Sequence, residues 1–402
     1  MFDHLQIYDK RERCLVGTAD MLLAAALAPV RLFGGRAAPP PAPRRILLLR
    51  LERIGDLLMS LPAIAAVRAL APNAAIDLVV GSWNAPIARL VREVDRVEVV
   101  DAAWLSRGGP SDGAFALVRR SQEWRRRRYD LAINFEGDPR SHLLMWRTGA
   151  TERVGFAMAG GGPLLTRAQG YDPTRHVADN LLRLVETAFG RAPGSVSASE
   201  SRLPVPGEAR IRAEALLAWP SASVAQILVG INVGGGREIK QWDPTRFARV
   251  AELLAAKHQA RFVFTGADED RAVVNAALAN LPSTIESIDV TGRADLLTLA
   301  AVLERCTVFI TGDTGPMHLA AAVGTPVVAI FGPSDPRRWG PLSARAEVVY
   351  GEVPCRPCNR IRRPPARCVG HVPDCLAAVT PDQVVAAAER QIARAGLRHG
   401  GA

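Results

Sequence analysis

The residues best suited to chemistry lie in TGDTGPMHLAAAVGTPVVAIFGPSDP, 311–336. Asp313 closes an apolar run, Thr314 and Gly315 supply a turn, and Pro316 pre-sets the first turn of a helix. The free N–H groups of such a helix start favour phosphate, and Met317 and His318 follow within one turn. Pro333, Ser334 and Asp335 leave the next apolar run on the same side. The pattern fits a nucleotide diphosphate; two capped helices would use the same residue types.

A second stretch, NVGGGREIKQWDPTRF (232–247), places Gly234 and Gly235 where main-chain N–H groups can form an anion nest, with Arg237 and Lys240 close behind. It lacks the Gly-Lys-Ser/Thr ending of an NTPase phosphate loop, which argues against ATP hydrolysis. A third, RLERIGDLLMSLP (50–62), puts Gly55 and Asp56 at the start of a helix. Asp56 is there either a helix cap or a base that takes a proton from an acceptor hydroxyl. A fourth gathers Cys355, Cys358, Cys368 and Cys375 with the spacing C-x2-C-x9-C-x6-C, and His371 lies between the last two. Four thiolates so spaced can hold structural zinc or iron; free thiols are the other reading, and disulfides a poorer one.

These stretches need strands and helices to bring them together. RILLLRL, AIDLVVG, VEVVD, YDLAINF and ERVGF are short apolar runs alternating with helical patterns between residues 45 and 189. The rhythm restarts at AQILVGINVG and continues through RFVFTG, IESIDVTG, TVFITGD and PVVAIFG. Continuous apolar runs between helices are the pattern of buried parallel strands. The predicted fold is therefore α/β, with two Rossmann-like parallel-sheet domains facing each other across a cleft. The expected divisions are an appendage and Pro-rich linker over 1–44, an acceptor domain over 45–218, a donor domain over 219–379 and a last helix over 380–402. MLLAAALAPVRLF (21–33) reads as a short apolar helix broken near Pro29, lying on lipid or on its own domain; Pro62 predicts a kink or break, and residues 157–175 and 333–379 read as irregular.

Of 402 residues 48% are apolar, enough for two cores, and the formal charge is +10. All but three of the 50 basic residues are Arg, spread along the chain without interleaved aromatics. That distribution favours phosphorylated ligands or anionic headgroups and argues against nucleic acid as a partner. No run reaches 18 apolar residues, and the acidic residues near the start do not read as a secretory signal. The expected location is cytoplasmic, with peripheral contact at the inner face of a membrane.

Together ILLLRLERIGDLLMSLPAIAAVRALAP, YDLAINFEGDPRS, KQWDPTRF and the 311–336 stretch resemble the ADP-heptose:lipopolysaccharide heptosyltransferases, glycosyltransferase family 9, over roughly 45–395. The resemblance implies the two-domain GT-B architecture, a last helix that crosses back to the first domain, and inverting transfer of heptose from an ADP-sugar donor to a glycolipid or oligosaccharide acceptor. It implies no cofactor for transfer. Asp56 matches the family's general base and Lys240 the residue that binds the diphosphate. Asp313 matches the acid beside the donor sugar, and Thr314, Gly315, Pro316, Met317 and His318 fall on the donor loop. Some relatives carry a cysteine-rich segment that binds iron, but with a different spacing. On the acceptor side Gly55, Arg153 and His176, with Arg167, are the candidates to meet an acidic acceptor. Other readings are the same fold with another donor or acceptor, a nucleotide-sugar epimerase of GT-B shape, and a non-catalytic scaffold.

Overall fold

The computed structural model describes all residues except 1, 3, 8, 34–41, 106–110, 193–201, 220–226 and 400–402, with only the backbone described at 30–33 and 396–399. The Pro-rich linker with Arg36, and the expected boundary at Pro220, Ser221 and Ser223, lie outside the described residues. The chain divides into two compact units, 1–201 and 202–402.

The first unit holds β1 (Arg45–Leu49), β2 (Ala75–Val80), β3 (Arg96–Val99), β4 (Leu131–Asn134), β5 (Glu152–Phe156) and β6 (Arg167–Gln169). They form one parallel sheet in the order β3-β2-β1-β4-β5-β6. The apolar runs become central strands because helices cover both faces; Ile46 to Leu49 are wholly buried. The second unit repeats the plan with β7 (Ile227–Asn232), β8 (Ala260–Thr265), β9 (Ser287–Asp289), β10 (Val308–Gly312), β11 (Val327–Phe331) and β12 (Ala346–Tyr350), in the order β12-β11-β10-β7-β8-β9. Each sheet reverses its winding once, between β1 and β4 and between β7 and β10. The carboxyl edge at such a reversal is where open parallel sheets bind ligands.

Several expectations change. β6 and β12 lie in segments that read as irregular; each is a short edge strand, and β6 pairs through three residues only. The helix Ile54–Leu70 runs on through the buried Pro62. The N-terminal helix begins at Lys10 and runs through Pro29 to Phe33. It packs on its own unit: Gly161 N–H donates to Asp20 Oδ1 at 2.8 Å, and Gln6 N–H donates to the Met158 carbonyl at 2.7 Å. Gly160, at φ +103°, lies so close to Val16 that a Cβ there would stand 2.6 Å from its methyl carbon.

One domain assignment is corrected. The helix Gly207–Leu216, expected in the first domain, belongs to the second unit, where Arg210 pairs with Glu304, Arg212 Nε donates to Thr298 and Arg305 pairs with Glu214. The last helix, Pro381–His399, packs on its own unit, over β10, β11, β12 and the helix Pro244–Ala255. Its Val384, Val385, Ala387 and Ala388 are core residues there, and Arg390 and Glu389 pair with Glu347 and Lys257.

Candidate active site

In the second unit the reversal between β7 and β10 brings together two loops that are some 70 positions apart in sequence. Asn232 ends β7, and its side-chain amide donates to the Gly234 carbonyl at 3.0 Å. The amide of Gln241 donates to the Gly235 carbonyl at 3.0 Å, so the glycine loop is tied down at both ends. Gly234 is closely approached by Asp270: a Cβ would stand 2.1 Å from its carboxyl carbon, so any larger residue would have to displace that side chain. The loop closes in a 3-10 turn, Glu238–Lys240. From it Lys240 Nζ reaches Asp313 Oδ2 at 2.8 Å, just beyond β10. The same oxygen accepts the Ser334 hydroxyl at 2.5 Å from the end of β11. Asp313 is 8% exposed and is held by a cation and a hydroxyl from two different strand ends.

The helix Gly315–Val323 opens directly after Asp313. Thr314 is its N-cap, but its side chain makes no capping bond; its hydroxyl pairs with Thr311 Oγ1 at 3.1 Å. Gly315 and Pro316 form the first turn, and nothing on the N-cap side chain consumes that turn's N–H groups. The start of a helix, a glycine loop and an ammonium group are gathered here, an arrangement that can take up an anion. Met317 is wholly buried and is a core residue, so of the expected donor contacts it can offer only its main chain. His318 is 6% exposed and lies on the inner side of the helix, not on its surface.

In the first unit the reversal between β1 and β4 presents Gly55 and Asp56. Gly55 is buried. Asp56 does cap its helix, for Arg53 N–H donates to Oδ2 at 3.1 Å. Its side chain is still 28% exposed, and Oδ1 lies 3.5 Å from the Arg50 guanidinium. A carboxylate that is oriented, partly open and beside a fixed cation can serve as both cap and base.

The remaining acceptor-side candidates are not at this point of the sheet. Arg153 is near the amino end of β5, where its guanidinium donates to the Leu164 and Ala150 carbonyls at 2.9 and 2.6 Å. Arg167 pairs with Glu152 and donates to the Thr187 and Ala188 carbonyls. Both clamp main chain. His176 is the N-cap of the helix Val177–Phe189, with Nδ1 accepting from Ala178 N–H at 3.0 Å. These three were chosen for charge or residue type, which does not reveal whether a side chain's donors are already taken.

Ser334, expected on this side of the sheet, is one of the two partners of Asp313. Two residues were not among the candidates, Arg50 and Glu136, although they lie inside RLERIGDLLMSLP and YDLAINFEGDPRS.

Cys355, Cys358, Cys368 and Cys375 line one pocket, together with Arg356, Arg360 and Arg367. Burial, then the neighbouring Cys358, Cys355 and Cys368, push the Cys375 thiol up to about 11. The described cysteines are all free thiols, and among the described residues no three His, Cys, Asp or Glu groups stand close enough to hold a metal ion. Nε and Nη2 of Arg356 are buried in this lobe without a hydrogen-bond partner. The pocket adjoins the Lys240–Asp313–Ser334 cluster, since Ile239, beside Lys240, and Pro333, beside Ser334, are part of its lining. Asn359 ties the two together: its N–H donates to the Pro333 carbonyl at 2.8 Å, and its Oδ1 accepts from Asp335 N–H at 3.0 Å.

Known proteins are similar to this chain. The profile of glycosyltransferase family 9 (heptosyltransferase) fits residues 117–366. Lipooligosaccharide heptosyltransferase 2 of Haemophilus influenzae is 26% identical over 319 residues, covering 76% of this chain and 88% of its own length. A family 9 glycosyl transferase structure from Veillonella parvula has a TM-score of 0.74 at 26% identity, covering 87% of this chain and 98% of that one. The ADP-heptose lps heptosyltransferase II structure from Escherichia coli has a TM-score of 0.70 at 21% identity, covering 87% and 99%. With its two Rossmann-like sheets and a family profile that spans more than half its length, the chain belongs to glycosyltransferase family 9.

Proposed function

We propose that this glycosyltransferase moves a heptose from ADP-heptose to a lipopolysaccharide core or a related glycan, with inversion at the anomeric carbon. The observation that carries the reading is the Lys240–Asp313–Ser334 cluster beside the open helix start at Gly315. In this reading Lys240, the glycine loop and the N–H groups of the 315–317 turn take up the charge that develops on the departing diphosphate. Asp313 orients Lys240 and lies beside the donor sugar. Asp56 removes the proton from the acceptor hydroxyl as its oxygen attacks the anomeric carbon. Atoms balance: the C–O bond to the diphosphate breaks as the new C–O bond forms, and ADP leaves. The names of the similar heptosyltransferases support this donor and acceptor.

A donor screen tests it. Purified protein is incubated with ADP-, GDP- and UDP-sugars and deacylated core oligosaccharide, and product mass is followed. A heptose-sized mass gain with ADP-heptose alone is expected. Transfer only from another donor would leave the fold and reaction class but overturn the substrate.

Two accessory roles belong to the same reading. The helix Lys10–Phe33 packs one side on its unit and exposes Leu15, Met21 and Leu22 on the other, beside Lys10 and Arg11. We propose this side as a peripheral contact with an anionic membrane surface, where a glycolipid acceptor would be met. Cosedimentation with anionic vesicles should fall when Leu15 and Leu22 are changed to Ser. The four cysteines would be the ligands of a structural zinc or iron ion. Four thiolates suit either metal, but the four cysteines would have to draw closer than they stand to share one ion; a thiolate centre so formed would offer acceptors to the unpartnered Arg356 N–H groups. Metal analysis of the wild type against a Cys355→Ser/Cys358→Ser variant decides this: equal metal content would exclude the site.

A further inference from the structure

The first unit contains a buried polar assembly that the reaction as described leaves unused. Arg50 follows β1 and is 3% exposed. Its Nε donates to the main-chain carbonyl of Asp56 at 3.0 Å. Nη1 donates to the Phe135 carbonyl at 2.7 Å and to Glu52 Oε2 at 3.0 Å. Nη2 faces Asp56 Oδ1 at 3.5 Å. One guanidinium therefore spans the end of β4, the turn after β1, and both the main chain and the carboxylate of Asp56.

Glu136, 1% exposed, completes the frame from the loop after β4. Its Oε1 accepts the N–H groups of Leu51 and Glu52, and its Oε2 accepts the Ser141 hydroxyl at 2.7 Å. Burial pushes the Glu136 carboxyl up, opposed by Arg50, Ser141 and Leu51 N–H. The Glu52 carbonyl is held in turn by Trp83 Nε1 and Asn84 Nδ2, both at 2.7 Å. An isolated buried charge is costly, so Arg50 and Glu136 are retained here as a mutually satisfied network. A helix start alone needs a cap; it does not need a buried arginine and glutamate gripping the turn from two strands.

We propose that Arg50 is a positioning residue for Asp56, braced by Glu136: it fixes the direction of the carboxylate. The inference rests on the reading of Asp56 as base. The Arg50 guanidinium meets Asp56 from the end of β1 and the Arg53 main-chain N–H meets it from the turn, while Glu136 holds the Leu51 and Glu52 N–H groups of that turn from the loop after β4. Arg50 is the buried cation among them, while Arg53 is turned aside, its Nη2 donating to the Leu105 carbonyl at 3.1 Å.

The test uses the full-length enzyme with Arg50→Met, Arg50→Lys and Asp56→Asn, measuring kcat and KM for each substrate. Arg50→Met should lower kcat by about 10- to 100-fold, the scale of a displaced catalytic group. It should leave the donor KM within about twofold, because the donor loops are on other strands. Arg50→Lys keeps the charge but not the fork, and its kcat should be reduced as well. A loss carried by KM with kcat kept in Arg50→Met would reduce Arg50 to scaffolding and overturn the proposal, as would an unchanged rate. If Arg50→Met does not fold, Arg50→Lys decides alone: wild-type kcat would refute the role of the fork. Substantial activity in Asp56→Asn would instead defeat the base assignment, whatever Arg50 does.

Discussion

His142 offers a sharp test of how the first unit is packed. It sits on the helix Pro139–Arg147, which follows the Glu136 loop, and is wholly buried. Its ring lies between two glycines: a Cβ at Gly155 or at Gly161 would stand 3.0 Å from a ring nitrogen. Burial pushes its pKa down from 6.5 to about 4, against the opposing pull of Asp138. A base with a lowered pKa contributes stability that is complete above its unfolded value and is lost as pH falls toward the folded value. Between pH 6.5 and 4 the unfolded chain binds the proton that the folded chain refuses, so stability falls by ~1.4 kcal/mol per pH unit. From pH 7 to pH 5 the loss amounts to about 2 kcal/mol from this residue alone. His142→Gln removes the titration while keeping a polar side chain.

Because two units need not unfold together, the assay should be local. Hydrogen exchange in graded urea, read by mass on peptides covering 139–147 at pH 7 and pH 5, isolates the segment. The wild type should lose about 2 kcal/mol more than His142→Gln across that interval. Equal pH responses in the two proteins would refute the claim that burial holds His142 neutral.

Lys240→Met should lower kcat/KM by about 10²-fold or more, as for loss of one group stabilising a developing anion, and should weaken ADP binding in calorimetry. Trp242→Ala should destabilise the second unit by about 3–5 kcal/mol, because the ring is a core residue packed edge-on against Phe247 at 4.9 Å and it adjoins the Lys240 turn; thermal unfolding gives the value. Asp20→Ala removes the acceptor for Gly161 N–H and should cost about 1 kcal/mol while exposing residues 10–29 to limited proteolysis. Unchanged proteolysis would argue against helix docking through that bond.

Much of the site was legible because strand ends write themselves into sequence. A buried parallel strand is a continuous apolar run, and its carboxyl end shows as the first Gly, Asp or Asn that follows. Asp56, Gly234 and Asp313 were legible in that way, and Lys240 as a cation of the glycine loop. Charge was a poorer guide. Arg153 and Arg167 have donors occupied by nearby carbonyls, and His176 is a cap. β6 and β12 escaped notice because edge strands of three and five residues carry no distinctive pattern. The helix Gly207–Leu216 was misassigned because sequence shows that a helix has an apolar side, not which neighbour covers it.

By itself the sequence determined two α/β units, the order of their strands along the chain and the residue types waiting at the strand ends. Tertiary structure decided which of those ends meet. Lys240 follows β7 and Asp313 follows β10, and they are partners only because those strands are neighbours at the reversal of the sheet. Arg50 and Glu136 frame the same turn because β1 and β4 are neighbours in the other sheet. Strand adjacency is set by long-range packing of apolar faces, which no local spacing encodes, so the loops were readable before the structure and their pairings were not.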